Sequence, residues 1–317
     1  MELPRALRQA VDAALQGVST RELAAASEAL SARYRAELRD GQLHVGDDMA
    51  ARAYLAARLP ATYAAIRAAL DAVAVVRPDF TPRSLLDFGA GPGTALWAAR
   101  DCWPDLDAAT LVEASAAMRK FGAAFAPQSG VAAVDWHAAP PPSSGPCALA
   151  TVAYVLDELD PAQRTAVIQQ LWSLTGDTLL VVEPGTPAGW RRILEARDLL
   201  LRQGAQVVAP CPHADICPIA APDWCHFARR VARSRAHLQA KGAEVPWEDE
   251  KFSFLAVSRR PGPLPAARVI APPRAGSGKV ELKLCEQDGA ARSALVTRRS
   301  GDRYKTMRRL SWGDAVF

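Results

Sequence analysis

The apolar positions of residues 1–78 recur every three to four residues, the spacing of amphipathic helices. Ser19 and Thr20 stand just before Glu22, a hydroxyl cap followed by an acid in the first turn, which predicts a helix start. The segment AYLAARLPATYAAIRAALDAVA (residues 53–74) is helical in period but contains Pro60. Proline lacks the N–H a helix interior needs, so one helix should end or kink there. From residue 83 the pattern changes to short apolar runs alternating with helical stretches. Residues 85–88, 109–113, 148–156 and 178–183 predict strands; 161–174 and 188–202 predict helices. This alternation predicts an α/β fold with a parallel sheet covered by helices on both faces. A strand over 206–209, a helix over 224–240 and a strand over 252–258 are expected next. After a Pro/Gly-rich break at 260–265, short strands over 267–270, 279–285, 293–297 and 304–309 predict a small β-rich extension. The expected organisation is a helical region (1–78), an α/β unit with a cysteine-bearing loop (79–260) and the extension (261–317).

The first candidate chemistry sits where the first strand runs into glycines: Asp87-Phe88-Gly89-Ala90-Gly91-Pro92-Gly93-Thr94. Glycines let a backbone approach a ligand, and the helix that follows presents unpaired N–H groups. The dinucleotide fingerprint requires a glycine where Thr94 stands, so a pyrophosphate ligand is disfavoured. The layout resembles the first motif of Rossmann-like methyltransferases, which bind S-adenosylmethionine. Glu113 ends the next strand 24 residues after Gly89, where an acid can accept hydrogen bonds from ribose hydroxyls. Asp87 falls where such enzymes organise the methionine amino group, and Asp135 where an acid meets the adenine amino group. For catalysis the candidates are Asp157 and Glu158, at the end of the strand that runs through Tyr154. Amino-methylating enzymes of nucleic acids often carry an Asn/Asp-Pro-Pro-aromatic run at this place, and none is present. Asp157 and Glu158 also fit as caps of the next helix.

The second candidate is a set of cysteines. Cys211, Cys217 and Cys225 lie within fifteen residues, separated by gaps of five and seven, and Cys285 follows on a distant strand. Four thiolates suit tetrahedral zinc or an iron–sulfur cluster. Zinc ligands usually come in pairs two to four residues apart, so these looser gaps, with proline after Cys211 and Cys217, favour the larger centre. His213 and His226 are spare donors. Cys102 and Cys147 lie outside the set and read as small apolar residues.

The net charge of +4 announces no global field, but basic residues cluster. Arg229, Arg230, Arg233, Arg235 and Lys241 form one group and Arg298, Arg299, Arg303, Lys305, Arg308 and Arg309 another, either of which can neutralise phosphates. No apolar run approaches the roughly 20 residues that span a bilayer. The opening MELPRALRQAVDAALQG reads as an amphipathic helix containing acids, neither a secretory signal nor an arginine-rich leader, so the expected location is a bacterial-type cytoplasm. In that reducing compartment the cysteines are not a disulfide framework.

The helical stretch at 53–65, the glycine motif, YVLDEL (154–159), VEPGTPAGW (182–190), APCPHADICP (209–218), DWCHF (223–227), LKLCEQDG (282–289) and SWGD (311–314) together resemble one family almost end to end. It is the methyltransferase-like 17 family of the mitochondrial small ribosomal subunit, with its bacterial and yeast relatives. The resemblance implies a Rossmann-like methyltransferase domain, an S-adenosylmethionine site, and a [4Fe-4S] cluster on Cys211, Cys217, Cys225 and Cys285. It also implies action on the maturing small ribosomal subunit and its 16S-type rRNA, by a protein that is a monomer off the ribosome. Three readings stay open: an rRNA methyltransferase, a catalytically inactive RNA-binding assembly factor that holds the cofactor, and a small-molecule methyltransferase with a structural zinc.

Overall fold

The computed structural model describes residues 1–36, 42–141 and 145–317. Four helices come first: α1 (Arg5–Leu15), α2 (Thr20–Arg35), α3 (Asp48–Ala57) and α4 (Leu59–Val76). Ser19 caps α2 by accepting from the Glu22 N–H. Pro60 lies in the first turn of α4, where no hydrogen bond is lost, so the expected break falls between α3 and α4.

The α/β region runs β1 (Ser84–Phe88), α5 (Thr94–Cys102), β2 (Ala108–Val112), α6 (Ala116–Phe125), β3 (Ala133–His137), β4 (Cys147–Ala153), α7 (Pro161–Ser173), β5 (Thr175–Pro184), α8 (Pro187–Arg202) and β6 (Gln206–Ala209). It closes with β7 (Phe227–Ala232), α9 (Arg235–Lys241) and β8 (Trp247–Ser258). The sheet order is β3-β2-β1-β4-β5-β8-β6, with β7 hydrogen-bonded to β8. Strands β1 to β5 pair in parallel, and β8 inserts antiparallel between β5 and β6. Successive residues of one strand feed opposite cores. Leu85, Leu149, Leu180 and Val182 join the core shared with α4 and α5, whereas Leu86, Ala150, Leu179 and Val181 join that of α7 and α8. That is the two-residue period of a sheet covered on both faces, and the architecture is the expected Rossmann-like methyltransferase type. Among the described residues α4 is long and apolar enough to cross a bilayer, although the sequence reading found no such run. Most of its length is instead buried in the core.

The last region forms a second sheet from β9 (Ala267–Val269), β10 (Arg274–Gly276), β11 (Lys279–Glu286), β12 (Ala291–Thr297) and β13 (Ala315–Val316), in the order β10-β11-β9-β13 with β12 on β11. Short helix α10 (Asp302–Met307) sends Tyr304 and Met307 into its core.

Two expectations are corrected. The helix expected over 224–240 is a strand, Phe227–Ala232, followed by a seven-residue helix, Arg235–Lys241. Phe227 and Val231, its buried pair, lie four residues apart, which satisfies a helical turn and two strand repeats equally. The strand expected over 304–309 is helical, because Tyr304 and Met307 follow the three-residue spacing of a helix face.

Candidate functional site

The chain leaves β1 toward β2 and β3 on one side and returns to β4 and β5 on the other. At such a reversal the connecting loops diverge and leave a crevice beyond the carboxyl ends of the strands. A cavity of about 710 Å³ lies there, within the ~300–1,000 Å³ typical of small-molecule sites.

Its floor is the glycine turn. Gly89, at φ +70°, donates to the Val112 carbonyl at 2.8 Å. A Cβ there would stand 2.2 Å from the Val155 side chain, so only glycine fits. Glu113 organises the turn: one carboxylate oxygen accepts from the Gly91 N–H at 2.8 Å and the other from the Ser115 N–H at 2.7 Å. Each oxygen retains a second lone pair for a ligand hydroxyl. Gly93, at φ +84°, caps α5. Asp87 is buried behind the turn and accepts from the Thr151 hydroxyl at 2.6 Å. Burial pushes its carboxyl up to about 7; the Thr151 bond opposes this and the Glu113 charge adds to it. Asp87, Gly89, Gly91, Gly93 and Glu113 are thus brought together. Asp135 is not. Strand alternation turns Trp136 under Gly93 and Gly122 and leaves Asp135 exposed on the other face of β3, outside the lining of the cavity. The loop beyond β3 contributes Ala138, Ala139 and Pro140 instead.

Asp157 and Glu158 both line the cavity, on the turns after β4. Burial, with the neighbouring Asp157 charge, pushes Glu158 up to about 8. Its Oε1 lies 3.9 Å from Nε2 of His44, whose ring packs at a 40° tilt against Tyr34. Nearby Glu183 is fully buried against Arg192 at 2.6 Å, accepts from the Leu156 N–H, and is pushed to about 8, chiefly by burial. Where the aromatic grip of amino-methylating enzymes would stand, Tyr154 adopts φ +59°. It donates to Glu250 at 2.9 Å, and Glu250 also meets Arg58 at 3.3 Å. Neither this group nor the lining from Tyr34, His44 and Tyr54 was legible in the sequence. Those residues come from the N-terminal helices and from β8, remote in sequence from the glycine motif.

A second cavity, about 30 Å³, lies between α8, β9 and β11 and is lined by Cys211, Cys217, Cys225 and Cys285. The predicted four therefore face one space. The rest of the lining is largely apolar, with two arginines and no carboxylate among the described residues. No three His, Cys, Asp or Glu side chains among the described residues approach closely enough to hold a single metal ion. Burial raises the Cys225 and Cys217 thiols, with Cys211, Cys217 and Cys285 adding to the first and Cys211 to the second, and pushes Cys285 up to about 12. His213 sets Nε2 3.4 Å from the Cys285 sulfur; His226 stacks on Trp224 beside the cavity rather than lining it.

Of the two basic groups, the first is largely neutralised. Arg230 forms a two-point pair with Asp249, and Arg233 and Lys241 share Glu248. Arg298, Arg299, Arg303, Arg308 and Arg309 of the second are exposed and in no ion pair among the described residues.

The profile of the family described as "Mitochondrial small ribosomal subunit Rsm22" matches residues 48–317. "Ribosome assembly protein METTL17, mitochondrial" of Homo sapiens is 33% identical over 288 residues, 83% of this chain and 61% of that protein. "Rsm22-cox11 tandem protein 2, mitochondrial" of Schizosaccharomyces pombe is 24% identical over 350 residues, 88% of this chain and 44% of its own length. The chain thus spans less than two thirds of these relatives. Among solved structures, the magnesium protoporphyrin IX methyltransferase of Synechocystis with bound SAM is 13% identical, with a TM-score of 0.42 over 73% of this chain and 91% of that one.

Proposed function

The chain belongs to the Rsm22 family of the mitochondrial small ribosomal subunit, and from that premise we propose that it is an S-adenosylmethionine-binding, methyltransferase-like protein that acts on the assembling small subunit and its 16S-type rRNA. The observation that carries this reading is the cleft at the β1/β4 reversal, where Gly89, Gly91 and Glu113 line one wall and Asp87 is buried behind the turn. Glu113 would accept the ribose hydroxyls with its remaining lone pairs. Asp87, ionised when a cation faces it, would hold the methionine ammonium. When bound, S-adenosylmethionine supplies an electrophilic methyl group. Glu158 is the nearest candidate to remove a proton from a target, yet a carboxyl pushed to about 8 is protonated at neutral pH and donates rather than accepts. Together with the Tyr154–Glu250–Arg58 group in place of an aromatic grip, this favours the reading in which cofactor binding and assembly outweigh methyl transfer.

For the cysteine cavity we propose a [4Fe-4S] cluster on Cys211, Cys217, Cys225 and Cys285. What supports this reading is the donor set, four cysteines lining one space whose lining holds no carboxylate among the described residues. The cluster would tie β11 to the loop after β6, so its binding free energy becomes folding free energy.

The test is transfer of labelled methyl from S-adenosylmethionine to immature small subunits, alongside co-sedimentation with them. Co-sedimentation without label supports the assembly reading, and label in rRNA the enzymatic one. Neither co-sedimentation nor label would refute both.

A further inference from the structure

The cysteine cavity contains a charge imbalance. Arg197 of α8 and Arg268 of β9 both line it, and each is only 2% exposed. Burying a guanidinium away from water costs several kcal/mol, on the order of magnitude for single ions in proteins, unless a counter-charge meets it. Among the described residues neither has a buried carboxylate partner. Arg268 donates to the carbonyls of Pro210 at 2.9 Å and Gly313 at 3.0 Å, and its remaining Nη2 is buried without a hydrogen-bond partner. Arg197 donates to the carbonyls of His213 and Asp215, and its Nε is likewise unpartnered. The acid nearest to it, Asp198, is 3.9 Å away with a side chain 62% exposed. In the antiparallel register Arg268 stands directly opposite Cys285.

We propose that Arg197 and Arg268 are the built-in counter-charges of an anionic thiolate centre in this cavity, and that they set its reduction potential. The inference rests on the cluster reading above. Four thiolates around a doubly positive iron–sulfur core leave two negative charges, which two guanidiniums balance. Reduction adds a third negative charge, so a nearby positive charge favours the reduced form and its removal lowers the potential. The carbonyl contacts fix where each guanidinium stands, which makes these positioning residues rather than ligands.

The test uses the full chain purified without oxygen, as the parent and as Arg268→Gln, Arg268→Lys, Arg197→Gln and Arg197→Lys. Iron content and the visible spectrum establish the cluster, and a mediated redox titration gives the midpoint. In each glutamine variant the reduction equilibrium should fall roughly tenfold, ~59 mV for a one-electron couple; each lysine variant should stay near the parent. If a glutamine variant loses the cluster while its lysine counterpart keeps it, the charge requirement is likewise upheld. Unchanged midpoints in cluster-bearing glutamine variants overturn the proposal. So does a lysine variant that shifts, or loses its cluster, as fully as the glutamine one, because then shape and not charge is at stake. Absence of iron from the parent chain sinks the cluster reading itself, an outcome that metal analysis separates from the others.

Discussion

Asp87 connects burial, pH and cofactor affinity in one side chain. It is buried, its side chain accepts from the Thr151 hydroxyl, and desolvation carries its carboxyl to about 7. In the unfolded chain it returns to ~3.9. A folded value above the unfolded one means that its contribution is fully present below about pH 4 and is lost as pH rises through about 7. A difference of roughly three units corresponds to a ceiling of about 4 kcal/mol lost at high pH in the ligand-free protein. Asp87→Asn keeps the shape and the oxygen that accepts from Thr151 but carries no charge. Thermal and denaturant melts without cofactor should show the variant close to the parent near pH 4, more stable by about 2 kcal/mol at pH 5.5 and by about 4 kcal/mol at pH 8.5. Cofactor binding should behave oppositely. A cationic amino group favours ionised Asp87, so parent affinity should strengthen between pH 6 and 8, while the asparagine variant binds more weakly and without that slope. Equal stability differences at both pH values, or a variant less stable at pH 8.5, would refute the reasoning.

Gly89→Ala should abolish cofactor binding in calorimetry, because a Cβ 2.2 Å from Val155 at φ +70° moves either the turn or the strand end; undiminished affinity would show that the turn does not touch the ligand. Glu183→Ala removes the buried side chain that accepts from Arg192 and the Leu156 N–H and should cost about 1–3 kcal/mol in denaturant unfolding. Charge reversal at Arg298, Arg303 and Arg309 should lower the slope of log affinity against log salt for rRNA by about 2 to 3, whereas Arg230→Glu should change it little because Asp249 already neutralises that side chain. Equal effects from both groups would contradict the assignment of the phosphate contact to the C-terminal face. Cys217→Ser should bleach the visible absorption of anaerobic protein and destabilise the β9–β13 sheet.

The sheet was legible because strands buried on both faces read as continuous apolar runs, and those at Leu85–Leu86 and Leu179–Val182 have no other interpretation beside the glycine turn. Asp87, the glycines and Glu113 were legible for the same reason, since they lie at strand ends whose position the runs define. Asp135 lies at the expected distance along the chain but on the exposed face of β3, because one residue of strand phase moves a side chain across the sheet and the sequence does not show which face meets the cleft. Phe227 and Val231 fitted both periods, so the β7–β8 hairpin was hidden. The Tyr154–Glu250–Arg58 group was beyond reach, since it needs the antiparallel placement of β8 and the packing of the N-terminal helices over the cleft. The four cysteines stood out by residue type alone, while the two arginines beside them became visible only through their burial.

Equilibrium titration of the full chain with S-adenosylmethionine at pH 7.5, with S-adenosylhomocysteine and NAD as competitors, reaches the cleft most directly. The account predicts one site per chain, displaced by S-adenosylhomocysteine and indifferent to NAD. No binding, or displacement by NAD, would contradict it.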